Sequence, residues 1–321
     1  MAIERARAVL VPKPWGASDV SQWSAADHRG RNIGEIWYER SSAGAAGSAL
    51  LFKLLFTSEA LSIQVHPDDR FAHAIGLARG KSEAWYVLGA APGAKVAVGL
   101  SQHVAPNQLR EAVGDGSIVD LVAWRAVFPG DIIRVSPGTI HAIGAGLVIA
   151  EIQQHSDATF RLFDYGRGRE LHVESAIAVA DAGPVELQAP PVRLTNERTV
   201  LISDPHFVLE KIELPPNSIW QADIERETWF LVLRGGAQMG QLGVTVGDAV
   251  FAEFDRIEID TGLDGLVCLV ARTGTGVAPV LVQDVRSFHA GKLIELPEML
   301  LATSVDQPGG DALYPQSRTV Q

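Results

Sequence analysis

Short apolar stretches recur along the first half of the chain, each cut off by Gly, Pro, Asp or Ser. Those at 49–56, 61–66, 83–88, 95–100, 131–135 and 147–153 have strand length and are rich in β-branched or aromatic residues, so the pattern predicts strands. Apolar residues at three-to-four spacing predict helices instead over 68–78, 107–113 and 171–180. A proline-bearing stretch at 181–192 interrupts the pattern. Beyond it, strands are predicted at 207–214, 228–233, 244–246, 249–253 and 266–271, with little helical signal before a short turn near 297–301. Many close-set short strands in both halves point to a mainly-β protein with two β-barrel domains, the first carrying added helices. The expected division is 1–185, 193–302 and a tail, 303–321, rich in Pro, Gly, Gln and Ser.

Composition narrows the function. The 321 residues are 47% hydrophobic and 20% charged, the balance of a folded globular protein. A net charge of −11 argues against nucleic acid or an anionic membrane as partner, while leaving room for a locally basic pocket that takes a small anion. Cys268 is the one cysteine, so a metal would have to be held by nitrogen and oxygen. The charged N-terminus lacks the apolar core of a signal peptide, and no apolar run approaches the roughly 20 residues of a membrane span. A cytoplasmic protein is expected.

Three segments carry candidate chemistry. In 61–69, alternation puts Gln64 and His66 on one face of a strand and Val65 on the other. Glu83 enters an apolar strand within 80–86. Further on, a Gly-Asp turn and a Pro-Gly turn bracket a short strand and deliver His141. Gln64, His66, Glu83 and His141 together supply an O, N, O, N set suited to Zn²⁺ with room for water or substrate. Only Glu83 in that set is charged, which would leave the site near +1 and able to stabilise an anionic sugar oxygen.

With these residues in place, the chain resembles the type I phosphomannose isomerases, especially the short bacterial form. The resemblance rests on Lys13-Pro-Trp-Gly16, Gly34-Glu-Ile-Trp37, the segments 61–69, 80–86 and 137–144, and EIQQHSDATFRLFDYGR at 151–167. It implies the cupin fold, one zinc per chain, and isomerisation of mannose 6-phosphate and fructose 6-phosphate through a cis-enediol. It places the metal ligands on Gln64, His66, Glu83 and His141, a catalytic arginine on Arg161, and lysines beside the metal on Lys53 and Lys81. His155 departs from the asparagine usual at its position, and Ser136-Pro-Gly shifts the usual proline by one. The second half shares only a cupin-like strand rhythm, with His206 and His289 outside it, so a degenerate cupin without metal is expected there.

Two hairpins are expected to complete the site. One, turning through 57–60, would set Lys53 opposite Gln64. The other, turning through 154–157, would set Glu151 opposite Arg161, so that carboxylate and guanidinium act together on the substrate. Arg167 and Arg169 suit phosphate recognition, or else pair with Asp164 and Glu170 in a solvated loop. Two further readings share the fold, an Fe(II)-dependent cupin oxygenase and a sugar-phosphate-binding cupin without turnover. No oligomeric state is assigned.

Overall fold

The computed structural model describes residues 3–24, 26, 30–41, 47–186, 188–278 and 282–285. In chain order the first strands are β1 (Ile3–Arg5), β2 (Arg7–Ala17), β3 (Ile33–Glu39), β4 (Leu50–Thr57) and β5 (Ile63–Val65). Then come α1 (Asp69–Ala74), β6 (Glu83–Ala90), β7 (Lys95–Leu100), α2 (Pro106–Asp115), α3 (Ile118–Leu121) and β8 (Val122–Ala126). The first half ends with β9 (Ile132–Val135), β10 (His141–Ile143), β11 (Leu147–Gln154), β12 (Phe160–Phe163) and α4 (Val173–Val179). The second half begins with β13 (Val192–Arg193), β14 (Arg198–Ser203), β15 (Phe207–Leu214), β16 (Ile219–Ile224) and β17 (Thr228–Met239). It closes with β18 (Leu242–Thr245), β19 (Ala249–Ala252), β20 (Asp255–Thr273) and β21 (Val282–Asp284). The turn expected at 297–301, the tail and His289 lie outside the described residues.

The expected mainly-β architecture is present, as three sheets rather than closed rings. A five-stranded sheet runs β12-β5-β10-β7-β8 and a six-stranded one β2-β3-β4-β11-β6-β9. No strand is shared between them, so the first unit is an open sandwich. The third sheet, built on β17, β20 and β15, takes in β1 from the N-terminus, which pairs with β19. The long strands β17 and β20 bend at register shifts near Arg234 and Gly235, and so wrap around a core that includes Phe230, Val250 and Ile259.

The six-stranded sheet is the middle layer, and its sequence says why. In β4 every residue of Leu-Leu-Phe-Lys-Leu-Leu-Phe-Thr is buried, the signature of a strand covered on both faces. Leu50, Phe52, Leu54 and Phe56 pack outward against Phe207, Trp229, Leu231 and Phe251 of the second unit. Leu55 faces the other way, packing with Trp85, Val96 and Val98 between the two sheets of the first unit. Helices α2 and α4 cover the outer face of the five-stranded sheet over Ile63, Val65 and Ala97. Each fully buried Phe or Leu in these layers stabilises the fold by about 1.5–3 kcal/mol. Polar groups on the inner faces of the first unit therefore lie in a cleft between well-packed layers.

Candidate active site

On the six-stranded sheet, cross-strand neighbours align Trp37, Lys53, Glu151 and Trp85 in one row, and the next row sets Glu83 opposite Gln153. Directly opposed residues share a face, so this charged row points into the cleft. On the facing sheet, Gln64 stands between His141 and Arg161. The alternation read from the sequence holds, because Ile63 and Val65 bury into the opposite core. His66 follows directly after β5 and is also buried.

The two sheets bring His66, Glu83 and His141 together, with ligand-capable atoms all within 4.8 Å of one another. His66 Nε2 lies 3.4 Å from Glu83 Oε2, and His141 Nε2 lies 3.5 Å from Oε1. His66 Nδ1 is 2.8 Å from the Ala158 carbonyl and His141 Nδ1 is 2.9 Å from the Thr139 carbonyl. A carbonyl only accepts, so each Nδ1 carries the proton and each Nε2 turns a lone pair to the centre. Gly138 links the two segments, because its amide donates to the His66 carbonyl and its φ of 87° turns the chain toward His141. Gln64 Nε2 is 3.3 Å from His141 Nε2, and Ser62 Oγ donates to Gln64 Oε1. A half-turn of the amide would aim Oε1 at the same centre.

Charge in this cluster follows from burial and neighbours. Burial and the Lys81 ammonium push His66 down to about 3, against Glu83, and burial lowers His141 too, so both rings are neutral at pH 7. Burial alone would raise Glu83, but the Lys81 ammonium holds its carboxyl well below the usual range. Lys81 Nζ stands 2.8 Å from Glu83 Oε2. Even so, neither Glu83 oxygen has a well-directed hydrogen-bond donor. Two imidazole lone pairs and an unsatisfied buried carboxylate converging on one point form a donor set that fits a divalent metal ion.

Beside it lies a second cluster. Lys53 Nζ is 3.5 Å from Glu151 Oε1, donates to Gln153 Oε1 at 2.7 Å, and sits 4.7 Å over the Trp37 ring. Trp85 Nε1 donates to Glu151 Oε2 at 3.2 Å. Burial and Glu83 raise the Glu151 carboxyl, against Lys53 and Lys81.

Both expected hairpins are absent. β4 pairs with β3 and β11, whereas β5 pairs with β10 and β12, so Lys53 does not oppose Gln64. It reaches the cleft from the other sheet. Likewise β11 and β12 are in different sheets, so Glu151 opposes Lys53 and Trp85, while Arg161 opposes Gln64. Connections that look like tight turns are crossovers. His155 N donates to the Ala49 carbonyl and Ser156 Oγ to the Arg79 carbonyl, which carries the chain away from β11.

Arg161 borders the cleft in the Gln64 row, and its Nε is buried without a hydrogen-bond partner. Arg167 is engaged elsewhere, with Asp164 at 3.3 Å, Glu59 at 3.4 Å and the Ala60 carbonyl. Arg169 also holds Asp164. The sequence reading gave no role to Glu35, Trp37, Trp85 or Gln153. Alternation in Gly34-Glu-Ile-Trp37 was the available signal for the first two, whose side chains are hydrogen-bonded to each other. A cavity of about 1030 Å³ lies elsewhere, along His103, Arg134 and Asp181.

The chain was compared with known proteins. No family model matches it. It is 36% identical to mannose-6-phosphate isomerase of Streptococcus mutans over 58% of this chain and 63% of that protein. Against mannose-6-phosphate isomerase ManA of Bacillus subtilis it is 34% identical over 64% of this chain and 68% of that protein. The match spans 63% and 68% of the lengths of these two relatives, and 57% and 58% of two further relatives from Bacillus subtilis. The crystal structure of the mannose 6-phosphate isomerase from Bacillus subtilis overlays on 85% of this chain and 100% of its own, with a TM-score of 0.73 at 23% identity. A mutant of phosphomannose isomerase from Salmonella typhimurium overlays over 85% and 100%, with a TM-score of 0.67 at 14% identity. These structures share the cupin-type fold described above, and on the identity and coverage with ManA the chain belongs to the mannose-6-phosphate isomerase family.

Proposed function

We propose that this chain is a zinc-dependent mannose-6-phosphate isomerase, moving a proton between C1 and C2 of the sugar through a cis-enediol to give fructose 6-phosphate. The observation that carries the reading is the convergence of His66, Glu83 and His141 on one buried point. Gln64, with its amide turned, completes a four-ligand set for one Zn²⁺ per chain. When bound, the metal supplies positive charge to polarise and orient the sugar oxygens.

The chain's own residues account for the rest. Lys81 neutralises Glu83 and brings an ammonium to the edge of the centre. Lys53 and Glu151 form a buried acid–base pair one row away, and a carboxyl raised by burial and Glu83 holds a proton more readily than a free one, which suits proton transfer. Arg161, with an unsatisfied buried Nε, is poised to hold charge developing on the substrate or to clamp it. Arg167 is an anchor for the loop that carries Asp164 rather than a phosphate ligand.

The catalytic unit is read as 1–185 and the supporting unit as 193–302, although β1 crosses that division. No helix among the described residues is long and apolar enough to cross a membrane, and a cytoplasmic location is part of the reading. The test is a coupled assay on zinc-loaded protein with mannose 6-phosphate and, separately, glucose 6-phosphate. Fructose 6-phosphate should form from the first at much the higher rate. Iron-dependent oxygen uptake, or saturable sugar-phosphate binding, without any product would reject the isomerase.

A further inference from the structure

The second unit contributes a buried carboxylate to the back of the active site. Asp204 follows β14 and is 2% exposed. Its Oδ2 accepts from Ser82 Oγ at 2.9 Å and from Arg134 Nε at 3.0 Å, and its Oδ1 accepts from the His206 amide at 3.0 Å. Ser82 is fully buried and lies between Lys81 and Glu83. Its neighbours face the metal-capable cluster, whereas its hydroxyl points away, into the second unit.

The main chain at Ser82 is fixed as well. Its amide donates to Gln154 Oε1 at 2.8 Å, and its carbonyl accepts from the Gln154 amide at 3.0 Å. Gln154 Nε2 in turn approaches His206 Nδ1 at 3.1 Å and donates to Asp69 Oδ1 at 3.0 Å. The Lys81 amide donates to the Pro67 carbonyl, beside His66. Asp204 and His206 therefore hold, from behind, the peptide that presents Lys81 and Glu83. A carboxylate buried this deeply persists only with its full set of donors, so the Ser82 hydroxyl is locked in one direction.

We propose that Asp204 is a positioning residue of the second unit, which sets the Lys81–Glu83 pair through Ser82 and thereby the affinity of the centre for its metal. This rests on the metal-dependent reading of the site. It gives the second unit a part in the chemistry beyond covering apolar surface. Groups that orient metal ligands typically contribute tenfold to a hundredfold in metal affinity.

The experiment measures Zn²⁺ affinity by competition with a chromophoric chelator, together with kcat and KM, for Ser82→Ala, Asp204→Ala, the double variant and Tyr38→Phe. Tyr38 supplies a control, because its hydroxyl makes another bond between the units, 2.8 Å to the Gly247 carbonyl. Ser82→Ala leaves Asp204 paired with Arg134, which protects folding. Both single variants at 82 and 204 should lose about tenfold in Zn²⁺ affinity, with kcat lowered more than KM is raised. The double variant should be little worse than Asp204→Ala. Asp204→Asn, which keeps an acceptor for Ser82, should restore much of the loss. Tyr38→Phe should melt earlier and bind zinc as the wild type does. Wild-type zinc affinity in folded Ser82→Ala, or an equal loss in Tyr38→Phe, would overturn the proposal. A tenfold affinity loss at 82 and 204 in a protein that binds zinc yet forms no fructose 6-phosphate would reject the isomerase and uphold the positioning role.

Discussion

Lys53→Met tests how the charged row in the cleft is balanced. Lys53 is 7% exposed and Glu151 4%, so the pair is nearly sealed from water. At the observed 3.5 Å, two unit charges in an effective dielectric near 20 attract by roughly 4–5 kcal/mol. Removing the ammonium leaves Glu151 with the Trp85 indole as donor, the weaker pull of Lys81, and Glu83 as a repelling neighbour. Truncating one member of such a pair costs about 3–5 kcal/mol. In chelated protein, whose charges are those described here, the melting temperature should fall by roughly 4–8 °C.

The pH dependence has a definite sign. Burial and Glu83 already raise the folded Glu151 carboxyl above its ordinary value, and losing Lys53 raises it further. The folded state then holds a proton that the unfolded state has released, so stability is present at low pH and lost as pH rises through the folded value. The penalty of Lys53→Met should be smallest in acid, where Glu151 is protonated in both states, and should grow as the pH rises above the ordinary carboxylate range. Adding Glu151→Gln should recover most of it. Urea unfolding of the four proteins across these pH values gives the cycle. A penalty that is constant with pH, or greater in acid, would refute the claim that Glu151 is the group left unbalanced.

The two arginines should behave in opposite ways. Arg161→Ala should lower kcat by roughly 10²-fold or more and leave the melting temperature nearly unchanged, since its buried Nε has no protein partner. Wild-type turnover in that variant would remove Arg161 from the chemistry. Arg167→Ala should keep kcat within about threefold while losing about 1–3 kcal/mol of stability, because it ties Asp164 to Glu59 and Ala60. A rise in KM for the sugar phosphate without a stability loss would return it to the substrate site.

Local patterns in the sequence carried many of the individual strands, though not β2, β3, β8, β14 or β16, and the metal-capable side chains. The alternation around Val65 gave the facing of Gln64, because one face of that strand had to be apolar. The turn at Pro137 and Gly138 announced the delivery of His141. What local pattern did not carry was which strand pairs with which. Strands joined by a short polar link default to a hairpin, yet β4 and β5 part company after Thr57. The amide of Ser58 donates to the Trp15 carbonyl, 43 residues away, and its Oγ lies 3.1 Å from the same carbonyl, contacts with no signal near residue 58. The apolar run of β4, interrupted only by Lys53 before Thr57 ends it, did hold a clue, since burial on both faces implies a middle layer and leaves β5 to another sheet. Lys53 still faces the cleft, although for a reason other than the one expected. Asp204 was invisible for the same cause, as its partner Ser82 is 122 residues away.

The central claim is that one metal ion, held where His66, Glu83 and His141 converge, makes this chain a mannose-6-phosphate isomerase. Titrating Zn²⁺ into fully chelated protein while following fructose 6-phosphate formation tests it in one measurement. Activity should rise linearly from near zero and break at one equivalent per chain. Full turnover before any metal is added, or no turnover after saturation, would contradict the account.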